Sequence, residues 1–495
     1  MASGIVNQRT FNSRQFALVG QCFLVVILVA VALLRGFFTA LSAELLIYLL
    51  CVILLGVAVW SAWSWRQVVH SLFDPYILFL AAAILFNGGR AILEVFQLNV
   101  DGILEVQFSS EVLVATLSLV IAGLISFHFG GLLGAALYKS KRSLQRGALE
   151  LRNQNAKYVR AVGWLLLLVS VVPAFFILRQ TLQIAIASGY FALFQRQAGT
   201  GFGAAGNVLT AFLVPGAMFL LAGSKSHKAG LAVSAIVILS YILIQFAAGS
   251  RMSATAPLIA YAWVWHRVIR PLPKTLLIVV GVFILFVLFP LVEVTRTIAG
   301  GEKLAPSFLI TTFLTIENPV IKILSEMGGS MKTVAYTLEL VPAIRAYDFG
   351  ASYLNALLTI IPNIYWDIHP AIAHGLLANW LVTTVDPARA AQGGGLGFSF
   401  IAEAYLNFGW FGAPIALGVI GAAYARFVLW AQISGEPARM ASVASFVSYF
   451  VIYARGETGS VVRALVWYAF MPYVAVLILS RLKNGGLNIV GSREN

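Results

Sequence analysis

Uninterrupted apolar runs of about twenty residues alternate with short polar segments along most of the chain. As a helix, a run of that length covers the roughly 30 Å of a bilayer's hydrocarbon, and a helix satisfies every backbone amide and carbonyl inside it. Twelve such runs are found, at approximately 16–34, 42–60, 76–96, 111–137, 161–179, 207–223, 230–248, 253–268, 274–292, 404–428, 441–456 and 462–480. They predict an all-α polytopic membrane protein. An outer-membrane barrel would instead alternate apolar and polar residues over about ten positions. The first run exceeds a signal-peptide core and no small-x-small cleavage site follows it, so it reads as a retained span.

Composition agrees, with 60% hydrophobic and only 11% charged residues and a mean hydropathy of +0.89. A soluble enzyme, a disordered scaffold and a fibrous protein all need a polar surface that this chain lacks. The excess of 33 basic over 19 acidic residues gives a formal charge of +14, which reads as topology and not as a nucleic-acid partner. With both termini cytoplasmic, the inward segments gather most of the basic residues, above all the cluster Lys139, Lys141, Arg142, Arg146, Arg152, Lys157 and Arg160, against Asp74, Glu150, Glu436 and Glu494. That is the bias cytoplasmic loops show. Cys22 and Cys51 both lie in apolar runs and form neither a disulfide framework nor a metal-spaced set.

One connection stands apart. The chain divides into spans one to nine (1–292), an outer loop (293–403) and spans ten to twelve (404–495). The loop is neither apolar enough to cross again nor polar enough to be disordered, and loops this long are usually functional. It carries six prolines, the aromatics Tyr336, Tyr347, Tyr353, Tyr365, Trp366 and Trp380, and a glycine-rich exit at Gly393–Gly397. Pro319 to Met327 and Ser352 to Ile361 read as short amphipathic helices on the membrane face. No heptads and no internal repeat support an inverted-repeat transporter.

Four arginines fall where helices meet the outer face: Arg251 in the elbow Gly249-Ser250-Arg251, Arg296 after span nine, and Arg455 and Arg463 around the last outer turn. Guanidinium cannot discharge itself by losing a proton, so each must snorkel to water or meet an anion. Glu457 neutralises one at most, which leaves a positive surplus suited to phosphate oxygens. Glu403 and Asn407 share one face of the outer end of span ten, where a salt bridge and a catalytic role fit the carboxylate about equally. His369 and His374, five apart, do not share a helix face and lack the further ligands zinc requires. Either fits a hydrogen-bonded structural role or a base near neutral pH. Gly201-Phe-Gly203-Ala-Ala-Gly206 matches a dinucleotide fingerprint by letter only, since no strand precedes it. Gly130 and Gly134 read as helix packing.

The Gly249-Ser-Arg251 elbow, the long outer loop, the string Gly393-Gly-Gly-Leu-Gly-Phe-Ser-Phe-Ile-Ala-Glu-Ala-Tyr-Leu-Asn-Phe-Gly409 and the Arg455/Arg463 turn together resemble bacterial O-antigen polymerases of the Wzy type. The resemblance extends along most of the chain. It implies a cofactor-free, metal-independent glycosyltransferase of the inner membrane with a GT-C-like helical fold and a periplasmic active site. Its substrates would be oligosaccharide repeat units on undecaprenyl diphosphate, with a chain-length regulator as a further partner beside membrane lipids. On this reading Arg251, Arg296, Arg455 and Arg463 hold the diphosphate, with Arg345 or Arg389 able to replace any one of them. Glu403 or His374 takes the acceptor's proton, and Asn407, Tyr405, Arg345 and Arg389 contact substrate.

Three other functions fit parts of the pattern. An O-antigen ligase shares the elbow, loop and donor but transfers to lipid A core. A flippase for the same lipid would line the bilayer midplane with charges, and the spans hold few. A non-enzymatic assembly factor would use the basic segment 138–160, whose charge topology already explains.

Overall fold

The apolar runs fold as helices. The computed structural model describes residues 15, 17–22, 24–25, 42–99, 102–104, 108–138, 148–195, 202–361 and 370–490. Helices of the first part are α1 (Ala43–Val69), α2 (Pro75–Val95), α3 (Ser110–Ala136), α4 (Ala148–Ser188), α5 (Gly206–Gly223), α6 (Lys228–Ala247), α7 (Arg251–Val264) and α8 (Lys274–Thr295). The long loop carries α9 (Pro306–Leu314), α10 (Pro319–Met327), α11 (Met331–Leu340), α12 (Ala351–Leu358), α13 (Pro370–His374), α14 (Leu377–Val385) and α15 (Pro387–Ala391). The chain ends with α16 (Phe400–Ser434), α17 (Pro437–Tyr453) and α18 (Thr458–Leu482). No strand occurs among the described residues.

Short polar side chains set the helix starts. Ser42 and Ser109 accept from the amides of Leu45 and Val112, and Asp74 accepts from Tyr76 with Pro75 as the first helical residue. Each satisfies a donor that has no partner inside its helix.

Nine helices among the described residues, α1 to α6, α8, α16 and α18, are long and apolar enough to cross a membrane. Two more of the twelve expected spans are shorter. The 14-residue α7 runs on through a π turn at Trp265–Ile269, and α17 has 17 residues. The first expected span, 16–34, lies mostly outside the described residues. Large apolar side chains such as Leu168, Phe175, Leu243, Ile278 and Phe411 stay exposed along these helices, as a surface bathed in lipid requires and a soluble protein does not tolerate.

Small residues set the closest crossing, between α3 and α16. A Cβ placed on Gly130 would lie 1.8 Å from the carbonyl oxygen of Gly418, and one on Gly134 2.8 Å from that of Ala422. Backbones therefore touch there, which is how helices associate when the surrounding lipid is as apolar as their side chains.

Two features depart from the sequence reading. Within the loop, Pro306–Leu314 and Pro319–Leu340 together are apolar enough for one crossing but meet at 90°. The α10 end of this pair seats in the bundle, because a Cβ on Gly89 of α2 would meet the Leu324 carbonyl at 2.6 Å.

The second departure concerns α16, expected to begin as a span near 404. Rings of Phe400 and Tyr424 both pack on Phe79, at 5.6 and 5.7 Å between centroids. A straight helix would hold residues 24 positions apart at about 36 Å. Ile401 and Leu417 likewise both abut Gly123. The chain doubles back at Gly409, whose φ of 63° and ψ of −162° lie in a region open essentially to glycine alone. Residues 397–409 thus form a re-entrant segment, and 410–434 is the crossing helix.

Candidate functional site

Two of the expected arginines, Arg251 and Arg455, line one small cavity with Phe86, Met252, Phe289, Glu326 and Met327, and a third, Arg296, reaches the Glu326 of its wall. The elbow before α7 brings Arg251 and Arg296 together. Gly249 has φ +88°, and a Cβ on it would sit 2.9 Å from the Cβ of Arg296 at the end of α8. Arg251, buried at the first residue of α7, donates Nη1 to the Phe289 carbonyl at 3.0 Å and to Glu326 Oε2 at 2.6 Å. Its Nη2 pairs with Glu326 Oε1, so the contact is a two-pronged fork. Arg296 reaches the same Oε1 at 3.3 Å and lies over the Tyr190 ring.

Arg455 lies over the Phe86 ring at 5.4 Å, and its guanidinium makes no ion pair or hydrogen bond among the described residues. It is held by its backbone, whose carbonyl accepts from Phe398. Glu293 stands beside Glu326. Three guanidinium groups around these two carboxyls leave the cavity net positive, a setting that binds oxyanions.

Glu403 has the geometry of a brace. It is 1% exposed. Oε1 accepts from Ser352 at 3.0 Å, and Oε2 accepts from the Thr458 amide at 2.7 Å and hydroxyl at 2.8 Å. Asn407, fully buried, donates to Ser352 Oγ at 2.7 Å and to the Glu403 carbonyl, and accepts from the Gly350 amide. The reversal at Gly409 strips the carbonyls of Leu406 and Asn407 of helical partners, and the amides of Asp348 and Phe349 supply replacements at 3.0 and 3.1 Å. At its inner end the segment is capped by Ser399, which accepts from Ile401 and donates to Asn87 Oδ1 at 2.6 Å.

Above this brace the loop forms a second polar cluster. Arg345 forks onto Asp348, with Nη2 at 3.0 and 2.9 Å from its two oxygens, and stacks over Trp380 at 4.5 Å. His374 Nε2 lies 3.5 Å from Asp348 Oδ2 without a hydrogen bond among the described residues. Tyr405 donates to the Val341 carbonyl and packs edge-on against Tyr347 and Trp410. Glu457 connects the two clusters: its carboxylate accepts from Leu377 at 2.8 Å and Ala378 at 3.3 Å, two residues along the chain from Arg455. Burial pushes the Glu457 carboxyl above its usual range, against the smaller opposing effects of those amides and Arg345.

A family model described as O-antigen polysaccharide polymerase Wzy matches residues 21–485. The chain belongs to this family. No curated protein and no solved structure matches it. It is therefore a multi-pass membrane protein of O-antigen polymerisation, and membership favours polymerase over ligase, flippase or assembly factor.

The remaining residues expected at the polymerase site fare differently. Arg463 is exposed, donates to the Thr359 carbonyl at 3.0 Å, and stays out of the arginine cavity. Arg389 is exposed on α15 beside Gly394. His369 lies outside the described residues. Sequence reasoning missed Glu326, Asp348 and Ser352, each of which looks like an ordinary polar position. It also missed Arg90, buried within α2 and donating to the Ser325 carbonyl at 2.9 Å, although a charge inside an apolar run was a visible signal.

Proposed function

We propose that the chain joins undecaprenyl-diphosphate-linked repeat units on the periplasmic face of the bacterial inner membrane, with both termini cytoplasmic. Arg251, Arg296 and Arg455 hold the donor's diphosphate. The observation that carries this reading is the meeting of arginines from three separate elements around Glu326: Arg251 and Arg455 line the same small cavity as this carboxylate, and Arg296 pairs with it. Fixed cations there stabilise the charge that grows on the diphosphate as it leaves, without a divalent metal.

In the transfer, an acceptor hydroxyl oxygen forms the new bond to the donor's anomeric carbon. The bond from that carbon to the diphosphate oxygen breaks, and the diphosphate leaves with the electron pair. The hydroxyl proton passes to a base. His374 suits that part better than Glu403, because its Nε2 is uncommitted beside Asp348 while every Glu403 oxygen is already hydrogen-bonded. Tyr347, Trp380 and Arg345, all half-buried, offer surface for sugars, while the buried Tyr405 and Asn407 hold the wall behind them.

The test is purified protein in nanodiscs with a synthetic undecaprenyl-diphosphate repeat unit and a metal chelator, analysed by gel for multimers. A ladder that disappears in Arg251→Ala and Arg455→Ala supports the assignment. A ladder unchanged in both variants refutes the diphosphate site, and one that requires added divalent metal refutes the metal-free mechanism.

A further inference from the structure

The arginine cavity already contains an anion of its own. Glu326 satisfies Arg251 through both oxygens and Arg296 through one, in the position the proposed reading gives to a diphosphate. Any incoming headgroup must displace this carboxylate. Its side chain keeps 21% of its exposure, against 9% for Arg251, so it has a route to water. Arg455, by contrast, is committed to no carboxylate.

We propose that Glu326 is a specificity-determining residue that rejects singly charged lipid headgroups and admits diphosphates. This rests on the arginine cavity being the diphosphate site. A phosphodiester such as phosphatidylglycerol brings one negative charge in exchange for the one it displaces, and gains little. A sugar diphosphate linked to a lipid brings two charges on two phosphates. One phosphate replaces Glu326 on Arg251 and Arg296, and the second occupies the uncommitted Arg455. Discrimination of this kind depends on an element that opposes the wrong ligand, and a membrane protein meets anionic phospholipid at far higher concentration than its substrate. Without Glu326, three arginines at the membrane edge would attract any anionic lipid.

The experiment measures binding of undecaprenyl diphosphate to the full chain in nanodiscs of phosphatidylcholine, with or without excess phosphatidylglycerol. For the unaltered protein, phosphatidylglycerol should change the affinity by less than about twofold. Glu326→Gln should bind about tenfold tighter in phosphatidylcholine and lose about tenfold when phosphatidylglycerol is present. Competition by phosphatidylglycerol in the unaltered protein overturns the proposal, and this arm holds even if the variant does not fold. A folded Glu326→Gln that binds no tighter also overturns it. Arg251→Ala separates the two levels: if it binds as well as the unaltered protein, the diphosphate site itself is wrong. If it loses binding while Glu326→Gln behaves as the unaltered chain, only the selectivity role fails.

Discussion

Replacing Glu403 by glutamine distinguishes a brace from a base. The carboxylate accepts three hydrogen bonds, from the Ser352 hydroxyl and from the Thr458 amide and hydroxyl. Bonds to a charged acceptor exceed neutral ones by about 1 kcal/mol each, so loss of the charge removes about 3 kcal/mol. Most of this returns because a neutral amide is easier to bury and burial outweighs those hydrogen bonds at this carboxyl, leaving a net loss of about 1 kcal/mol or less. The amide nitrogen must also face Ser352, whose oxygen already accepts from Asn407. Alanine leaves all three donors without an acceptor in a buried site and should cost about 3–6 kcal/mol. The assay is thermal inactivation of purified protein together with polymer formed per folded molecule. Inactivation should accelerate in the order native, glutamine, alanine, while glutamine keeps activity per folded molecule within about threefold. A general base contributes about a hundredfold or more. A glutamine variant as stable as the native chain but a hundredfold slower would therefore refute the brace and make Glu403 the base.

Other substitutions separate residues the sequence placed together. Arg463→Ala should leave the polymer ladder intact and cost under about 1 kcal/mol, since it removes one hydrogen bond at an exposed site, whereas Arg455→Ala abolishes the ladder. Gly130→Leu should prevent accumulation of folded protein in membranes, because the Gly418 carbonyl lies 1.8 Å from the new Cβ and two backbones must part; a normal yield would contradict the crossing. Acidity offers a further check at Glu457, whose folded pKa is raised by burial. Its contribution to stability is greatest below the unfolded pKa and is lost as pH rises through the folded one. Inactivation should therefore accelerate from mild acid toward neutrality, and Glu457→Gln should flatten that dependence; an unchanged slope would count against it.

Hydropathy made the crossing helices legible, because lipid demands long apolar runs and leaves few ways to satisfy a backbone. Close packing at Gly130 and Gly134 was legible for a related reason, since small residues four apart have few other uses in a span. The reversal at Gly409 was not. Ala404 to Val428 reads as a single apolar span, and Gly409 is one glycine beside Gly412, Gly418 and Gly421. Only packing against Phe79 and Gly123 reveals which of them turns the chain. The site was half visible. Arginines announce themselves at a membrane edge, so Arg251, Arg296 and Arg455 could be named. Arg455 and Arg463 nevertheless have opposite fates, one facing the cavity and the other a loop carbonyl, because one turn of chain separates their directions. Glu326 was hidden because an acidic residue on an amphipathic loop helix ordinarily faces water.

The re-entrant segment also constrains how the protein is made. Residues 397–409 are too short to be inserted as a span, and their polar groups find partners on elements scattered along the chain: Asn87 on α2, Ser352 on α12, and Thr458 beyond α17. The last of these emerges from the ribosome some fifty residues after Glu403 itself. Until then one oxygen of the Glu403 carboxylate waits without its partners. The segment must therefore settle after the helices around it are in place, so that the seal between the bundle and its loop is among the last parts of the molecule to close.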